Sequence, residues 1–104
     1  MPRPSRGEVW MVDLGLAAKV RPCLLLTDWP ADSELALVTV LAHTTMLRGN
    51  PWEHAVAKPF LKGGAFHLQQ VQSVPTAKLE RKLGELTPSE LSVIEDRLRT
   101  RLKL

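Results

Sequence analysis

The sequence is poor in cysteine, in aromatic residues and in long apolar runs. Cys23 is the only cysteine among 104 residues, so no disulfide can form within the chain and a reducing compartment, the cytoplasm, is expected. No stretch approaches the roughly 18 consecutive apolar residues of a membrane-spanning helix. The histidines, at positions 43, 54 and 67, lack the spacing of zinc ligands. We therefore expect a cytoplasmic protein without a metal ion or cofactor.

What remains is an ordinary globular composition with a mild basic excess. The chain is 44% hydrophobic and 24% charged, and its length suits one domain over residues 1–104, with residues 1–5 as a flexible tail. The formal net charge is +3. A positive charge suits a polyanionic partner, but many small proteins without such a partner are as basic.

Short strands followed by one helix are predicted from the residue pattern. Residues 8–14 alternate with the period of a strand, and residues 23–27 form a short apolar run typical of a strand covered on both faces. Residues 35–41 and 52–57 are predicted as further strands, and residues 65–74 as extended but irregular. The pattern favours an α+β fold, mainly β, in which a small antiparallel barrel precedes a helix.

The final helix has the strongest local signal. Thr87, Pro88 and Glu90 form a capping box with proline at the first helical position. Apolar residues then recur on one face up to Leu102, which predicts a helix over residues 88–102. The basic residues near its end are expected on the outer face, where cations favour a helix C-terminus.

Four segments, taken in order, resemble the MazF/PemK toxins. Residues 6–14 are similar to their opening strand, and Arg21-Pro22 with the apolar run after it is similar to their second strand. Residues 44–53 resemble their threonine-pair stretch, and residues 70–74 resemble a later Gln-containing segment. The resemblance covers about residues 6–102. It implies an SH3-like barrel of the MazF/PemK/CcdB type.

The resemblance also implies an activity and partners. Toxins of this type cleave single-stranded RNA selectively without a metal ion, through attack of the 2′-hydroxyl on the neighbouring phosphate. The expected products are a 2′,3′-cyclic phosphate and a 5′-hydroxyl. A homodimer is expected, as is a cognate antitoxin whose acidic, disordered tail would cover the basic groove.

Arg21 and Thr44 are the catalytic candidates that the resemblance implies. A guanidinium can hold two phosphate oxygens and stabilise the charge of a phosphorane. The Thr44 hydroxyl would donate to a non-bridging oxygen. His43 is a possible general base. However, adjacent strand residues point to opposite faces, so His43 would face away from RNA if Thr44 faces it.

Further side chains are candidates for binding RNA around these groups. They offer charge, hydrogen bonds or a stacking surface, and they are Lys19, Trp29, Thr45, Arg48, Gln70 and Ser73.

Two other functions remain open at this point. A CcdB-like toxin with the same fold poisons gyrase and needs a C-terminal Trp-Gly-Ile, whereas this chain ends Leu-Lys-Leu. A catalytically degenerate binding domain is the other alternative, which the presence of both Arg21 and Thr44 disfavours. Residues 15–20 form a shorter loop than is usual in the family, so substrate preference and antitoxin binding cannot be transferred from it.

Overall fold

A computed structural model, which describes residues 3–15, 17 and 19–104, shows one antiparallel sheet followed by a helix. The strands lie in the order β4-β5-β3-β2-β1-β6. The elements are β1 (Glu8–Asp13), β2 (Val20–Leu25), β3 (Leu37–Thr44), β4 (Glu53–His54), β5 (Ala65–Pro75), β6 (Leu79–Glu85) and α1 (Pro88–Leu102). The predicted mainly-β architecture with a C-terminal helix is confirmed.

The closed barrel is the part of the fold prediction that the structure corrects. Within the described residues, the outermost strands β4 and β6 each pair with one neighbour and not with each other. β4 is only two residues long, where residues 52–57 were expected to form a strand. Such a short edge offers too few backbone groups to close the sheet, which stays open.

β2 lies in the interior of the sheet, and its apolar side chains are buried on both faces. Leu24 packs with Ile94 and Leu98 of α1 in one apolar cluster. Cys23 and Leu25 point the other way, into a second cluster. The prediction of a strand covered on both faces is therefore confirmed, although β2 begins earlier than residue 23 and ends at Leu25.

The burial of Cys23 predicts that its thiol is unreactive in the folded protein. Burial raises the pKa of its thiol to about 12, against a smaller opposite effect of the nearby Arg21 charge. Because the thiolate is the nucleophile, iodoacetamide at pH 8 should leave the native protein unmodified and should alkylate it fully in guanidinium chloride. Mass spectrometry measures the difference, and rapid alkylation of the native protein would contradict this burial.

The helix follows its predicted limits. The Thr87 hydroxyl accepts from the Glu90 backbone N–H at 3.2 Å, and the Glu90 carboxylate accepts from the Thr87 N–H at 2.8 Å. Ile94 and Leu98 are buried, but Leu102 is half exposed, so the apolar face is shorter than predicted. No helix of the described chain has the length and apolar character that crossing a bilayer requires.

Candidate active site

Arg21 and Thr44 border one pocket beside the end of the β2–β3 pairing. β2 and β3 pair antiparallel with Cys23 opposite Ala42. Arg21 and Thr44 each lie two residues beyond that last pair, Arg21 before Cys23 and Thr44 after Ala42, so the same register would bring them to the same end of the two strands. β3 extends to Thr44, three residues beyond the predicted limit of residue 41, and this extension brings the threonine to the pocket.

The hydroxyl of Thr44 has a defined orientation. Its oxygen accepts a hydrogen bond from the Met46 backbone N–H at 3.0 Å, where the chain leaves the strand. With a lone pair occupied in this way, the hydroxyl hydrogen is available to donate elsewhere. Thr44 is only 9% exposed, so its hydroxyl has little room to turn away.

His43 occupies the opposite face of β3. Its ring meets the Phe66 ring edge-on, with centroids 5.0 Å apart, and burial lowers the pKa of the imidazole. It borders a second pocket together with Thr45, and Arg21 borders this pocket as well as the one that contains Thr44. The strand alternation expected at His43 and Thr44 is thus what the backbone shows.

β5 bends beside Thr44 because it carries extra residues. His43 pairs with Phe66 and Leu41 pairs with Val71. A step of two residues along β3 therefore matches a step of five residues along β5. Such a bulge breaks the alternation of side chains and re-aims them. As a result His67 and Gln70, three residues apart, border the same pocket. Residues 65–74 were predicted as extended but irregular, and this bulge is the irregularity.

These elements enclose a pocket of about 340 Å³. Its described lining contains two guanidinium groups and no carboxylate. A concave site with positive charge and several hydrogen-bond donors suits a phosphate group. The lining residues are Ala17, Arg21, Thr44, Met46, Arg48, His67 and Gln70.

The loop that carries Arg48 is held by a single carboxylate. Glu53 accepts hydrogen bonds from the backbone N–H of Arg48 at 2.6 Å and of Gly49 at 2.9 Å. Arg97 of α1 anchors the far end of the loop by donating to the Pro51 carbonyl and lying 3.1 Å from His54 Nδ1. The side chain of Arg48 is therefore presented from a loop whose backbone is fixed.

Glu53→Gln tests this loop through its pH dependence. The hydrogen bond from the Arg48 N–H, followed by that from Gly49, lowers the pKa of Glu53 below its ordinary 4.5. A carboxylate with a lowered pKa stabilises the fold above its unfolded pKa, and this contribution is lost as pH falls through the folded pKa. We expect the variant to have a lower Tm than wild type at pH 7, with the gap closing below about pH 4.

Thermal unfolding monitored by circular dichroism from pH 3 to 7 measures this gap. Glu80→Gln, on the exposed side of β6, is the matched control and should leave Tm nearly unchanged throughout. A Tm gap for Glu53→Gln that is the same at pH 3 and pH 7 would contradict a role for the carboxylate charge.

Four of the predicted site residues meet in the pocket, namely Arg21, Thr44, Arg48 and Gln70. Trp29 borders a different pocket, which Thr39 also lines. The Ser73 hydroxyl lies 3.1 Å from the Thr39 hydroxyl. Lys19 is exposed, has a positive φ of 57° and directly precedes β2. Leu16 and Ala18 of the short loop fall outside the described residues.

His67 borders the pocket although the sequence analysis assigned it no role. It is 8% exposed and follows Phe66 in β5. A single histidine in an otherwise apolar stretch is the signal in the sequence, but a buried histidine is also common in protein cores. Only the bulge, which the sequence does not reveal, places it beside Gln70.

Comparisons with known proteins identify the family to which the chain is similar. The family model described as PemK-like, MazF-like toxin of type II toxin-antitoxin system matches residues 5–102. The probable endoribonuclease MazF5 of Mycobacterium tuberculosis is 31% identical over 94 residues, which are 88% of this chain and 85% of that protein. The endoribonuclease MazF1 of Mycobacterium bovis is 30% identical over 104 residues, 100% of this chain and 97% of the relative.

A solved structure extends the similarity to three dimensions. A mycobacterial endoribonuclease in complex with its cognate antitoxin has a TM-score of 0.78 and 28% sequence identity to this chain. The superposition covers 97% of this chain and 96% of that one. The similarity therefore includes both the sheet and the helix.

Proposed function

Because this chain belongs to the PemK-like, MazF-like toxins of type II toxin–antitoxin systems, we propose that it is an endoribonuclease that cleaves single-stranded RNA at the Arg21–Thr44 pocket. The observation that carries the proposal is the meeting of both groups in a basic pocket with no described carboxylate in its lining. A phosphodiester is the ligand whose charge and oxygen atoms match these donors.

In the proposed reaction the RNA supplies its own nucleophile. The 2′-hydroxyl oxygen forms a bond to phosphorus, the bond from phosphorus to the 5′-oxygen breaks, and a 2′,3′-cyclic phosphate and a 5′-hydroxyl result. The proton lost from the 2′-oxygen balances the one gained by the 5′-oxygen. Metal-independence follows from this route, since the nucleophile needs no activated water.

Each pocket residue has a role in this proposal. The Arg21 guanidinium stabilises the negative charge that grows on the non-bridging oxygens, since it keeps its own proton. The Thr44 hydroxyl, oriented by the Met46 N–H, donates to one of those oxygens. Arg48 and Gln70 hold the adjoining phosphate and base. His43, on the opposite face of β3, takes no part.

We further propose that the active form is a homodimer in the cytoplasm, restrained by an antitoxin with an acidic segment. The solved mycobacterial relative is in complex with its cognate antitoxin. The net charge of +3 and the basic pocket would attract an acidic chain, which would block RNA by occupying the same surface.

Purified protein and a defined RNA, incubated in EDTA, test the proposed activity. Cleavage should occur, and the fragments should carry 5′-hydroxyl ends that a polynucleotide kinase labels directly. The fragments downstream of the cleavage site should therefore be labelled without prior phosphatase treatment. Intact RNA after incubation with a folded wild-type protein, across a mixed-sequence library, would overturn the assignment.

A further inference from the structure

His67 makes two contacts that no single protonation state of its ring can satisfy. Its Nδ1 accepts a hydrogen bond from the Gln69 backbone N–H at 3.2 Å. Its Nε2 lies 3.4 Å from the side-chain nitrogen of Asn50. Both neighbours are donors, whereas a neutral imidazole has one nitrogen that accepts and one that carries a hydrogen.

The backbone decides which contact is a true hydrogen bond. The Gln69 N–H is part of the bulge and cannot rotate, so Nδ1 keeps its lone pair and the ring hydrogen sits on Nε2. The Asn50 amide cannot flip to accept it, because its oxygen already accepts from the Trp52 N–H at 2.9 Å. Two N–H groups, one from His67 and one from Asn50, therefore face each other.

Two adjacent donors can bind an oxyanion. The Glu53 carboxylate is the negative charge that acts on His67 from the neighbouring strand β4. His67 is 8% exposed and borders the same pocket as Arg21 and Thr44. On β5 it lies two residues from Ala65, the partner of Thr44, and so projects from the same face of the sheet as Thr44.

We propose that His67, with Asn50 beside it, donates its Nε2–H to a non-bridging oxygen of the scissile phosphate. This inference rests on the proposed ribonuclease function and adds a catalytic residue to it. No proton is transferred: the hydrogen stays on Nε2 and the bond shortens as charge grows on the phosphorane.

The ring tautomer gives a test that does not depend on activity. In the ¹⁵N-labelled protein at pH 7.5, the long-range ¹H–¹⁵N spectrum of the His67 ring should show a protonated Nε2 and an unprotonated Nδ1. Addition of an RNA analogue with a 2′-deoxy nucleotide at the cut should shift the Nε2–H resonance downfield. The opposite tautomer, or an unchanged Nε2–H with the analogue bound, would overturn the proposal.

Two substitutions then separate donation from packing. His67→Leu fills similar space without a donor, and the single-turnover cleavage rate should fall by about 100-fold, the usual effect of losing one oxyanion donor. His67→Gln can place an N–H near the position of Nε2 and should stay within about 10-fold of wild type. KM should change less than 3-fold in both, because the bond strengthens mainly in the transition state.

The outcomes distinguish this inference from the function on which it rests. If wild type cleaves RNA, Arg21→Ala does not, and His67→Leu is fully active, the ribonuclease stands and the His67 role is wrong. If His67→Gln is folded but as slow as His67→Leu, the ring does more than donate a hydrogen bond and the proposal is overturned. His43→Gln, the same exchange on the opposite face of the sheet, is the control and should keep its rate.

Discussion

Arg21→Ala should lower the single-turnover rate of RNA cleavage by about 1000-fold, which corresponds to about 4 kcal/mol of transition-state stabilisation. Arg21 borders the same pocket as Thr44, and the described lining of that pocket has only one other full positive charge, that of Arg48. Its removal takes away the group that can contact two phosphate oxygens at once. Rapid-quench measurements with a defined oligonucleotide give the rate.

Two controls separate this effect from general loss of charge. Arg21→Lys keeps the charge but not the planar pair of donors, and should recover only a small part of the rate. Arg99→Ala removes an exposed arginine of α1 that is paired with Asp96, and should leave the rate unchanged. An Arg21→Ala protein within 10-fold of wild type would show that the pocket is not the cleavage site.

Gly64→Ala should damage both the fold and the site. Gly64 has a φ of +78°, and an added Cβ would lie 2.9 Å from the Thr44 carbonyl carbon and 2.9 Å from Thr45 Cα, with the Thr44 oxygen closer still. Backbone atoms cannot move aside as a flexible side chain can. We expect a loss of about 2–3 kcal/mol in the free energy of unfolding and a Tm lower by roughly 10 °C.

Gly63→Ala is the matched control. Gly63 also has a positive φ, of +59°, but an added Cβ there meets nothing within 4 Å. It should lose about 1 kcal/mol from backbone strain alone and should keep its cleavage rate. Denaturant unfolding and single-turnover assays on both variants give the comparison. Equal losses at the two glycines would contradict close packing of Gly64 against Thr44.

Local sequence patterns predicted the helix and the opposite orientations of His43 and Thr44. A capping box and a 3.6-residue period depend only on neighbours in the chain, and Thr87 and Glu90 form the expected reciprocal bonds. The alternation of His43 and Thr44 is equally local. The apolar run at residues 23–27 predicted a covered strand, and β2 is that strand. Arg21 lies two residues before the paired Cys23 and borders the same pocket as Thr44.

Features that depend on residues distant in the sequence could not be predicted from local patterns. β6 carries four charged residues among its seven, so its sequence lacks the apolar alternation that predicts a strand. It is nevertheless an edge strand, paired with β1. The basic residues of α1 were expected to face outward, yet Arg97 binds the Pro51 carbonyl and Arg101 lies 5.5 Å from the Trp52 ring centre. Both contacts require the loop before β4 to pack against the helix.

The bulge in β5 decides the composition of the pocket. Simple alternation would place His67 and Gln70 on opposite faces of a regular strand. Extra residues between the pairs formed by Phe66 and Val71 bring both to the pocket. The bulge is supported from outside the strand, since the Leu68 N–H donates to the Trp52 carbonyl at 2.8 Å. That partner lies far away in the sequence.

In the proposed mechanism, a ribose hydroxyl attacks a phosphate held between Arg21 and Thr44. Its most direct test compares two oligonucleotides that differ by one oxygen, the 2′-hydroxyl at the mapped cut, under single-turnover conditions in EDTA. We expect the 2′-deoxy oligonucleotide to bind with similar affinity and not to be cut at that position. Cleavage of both at comparable rates would contradict this mechanism, because the attacking oxygen would then have to come from elsewhere.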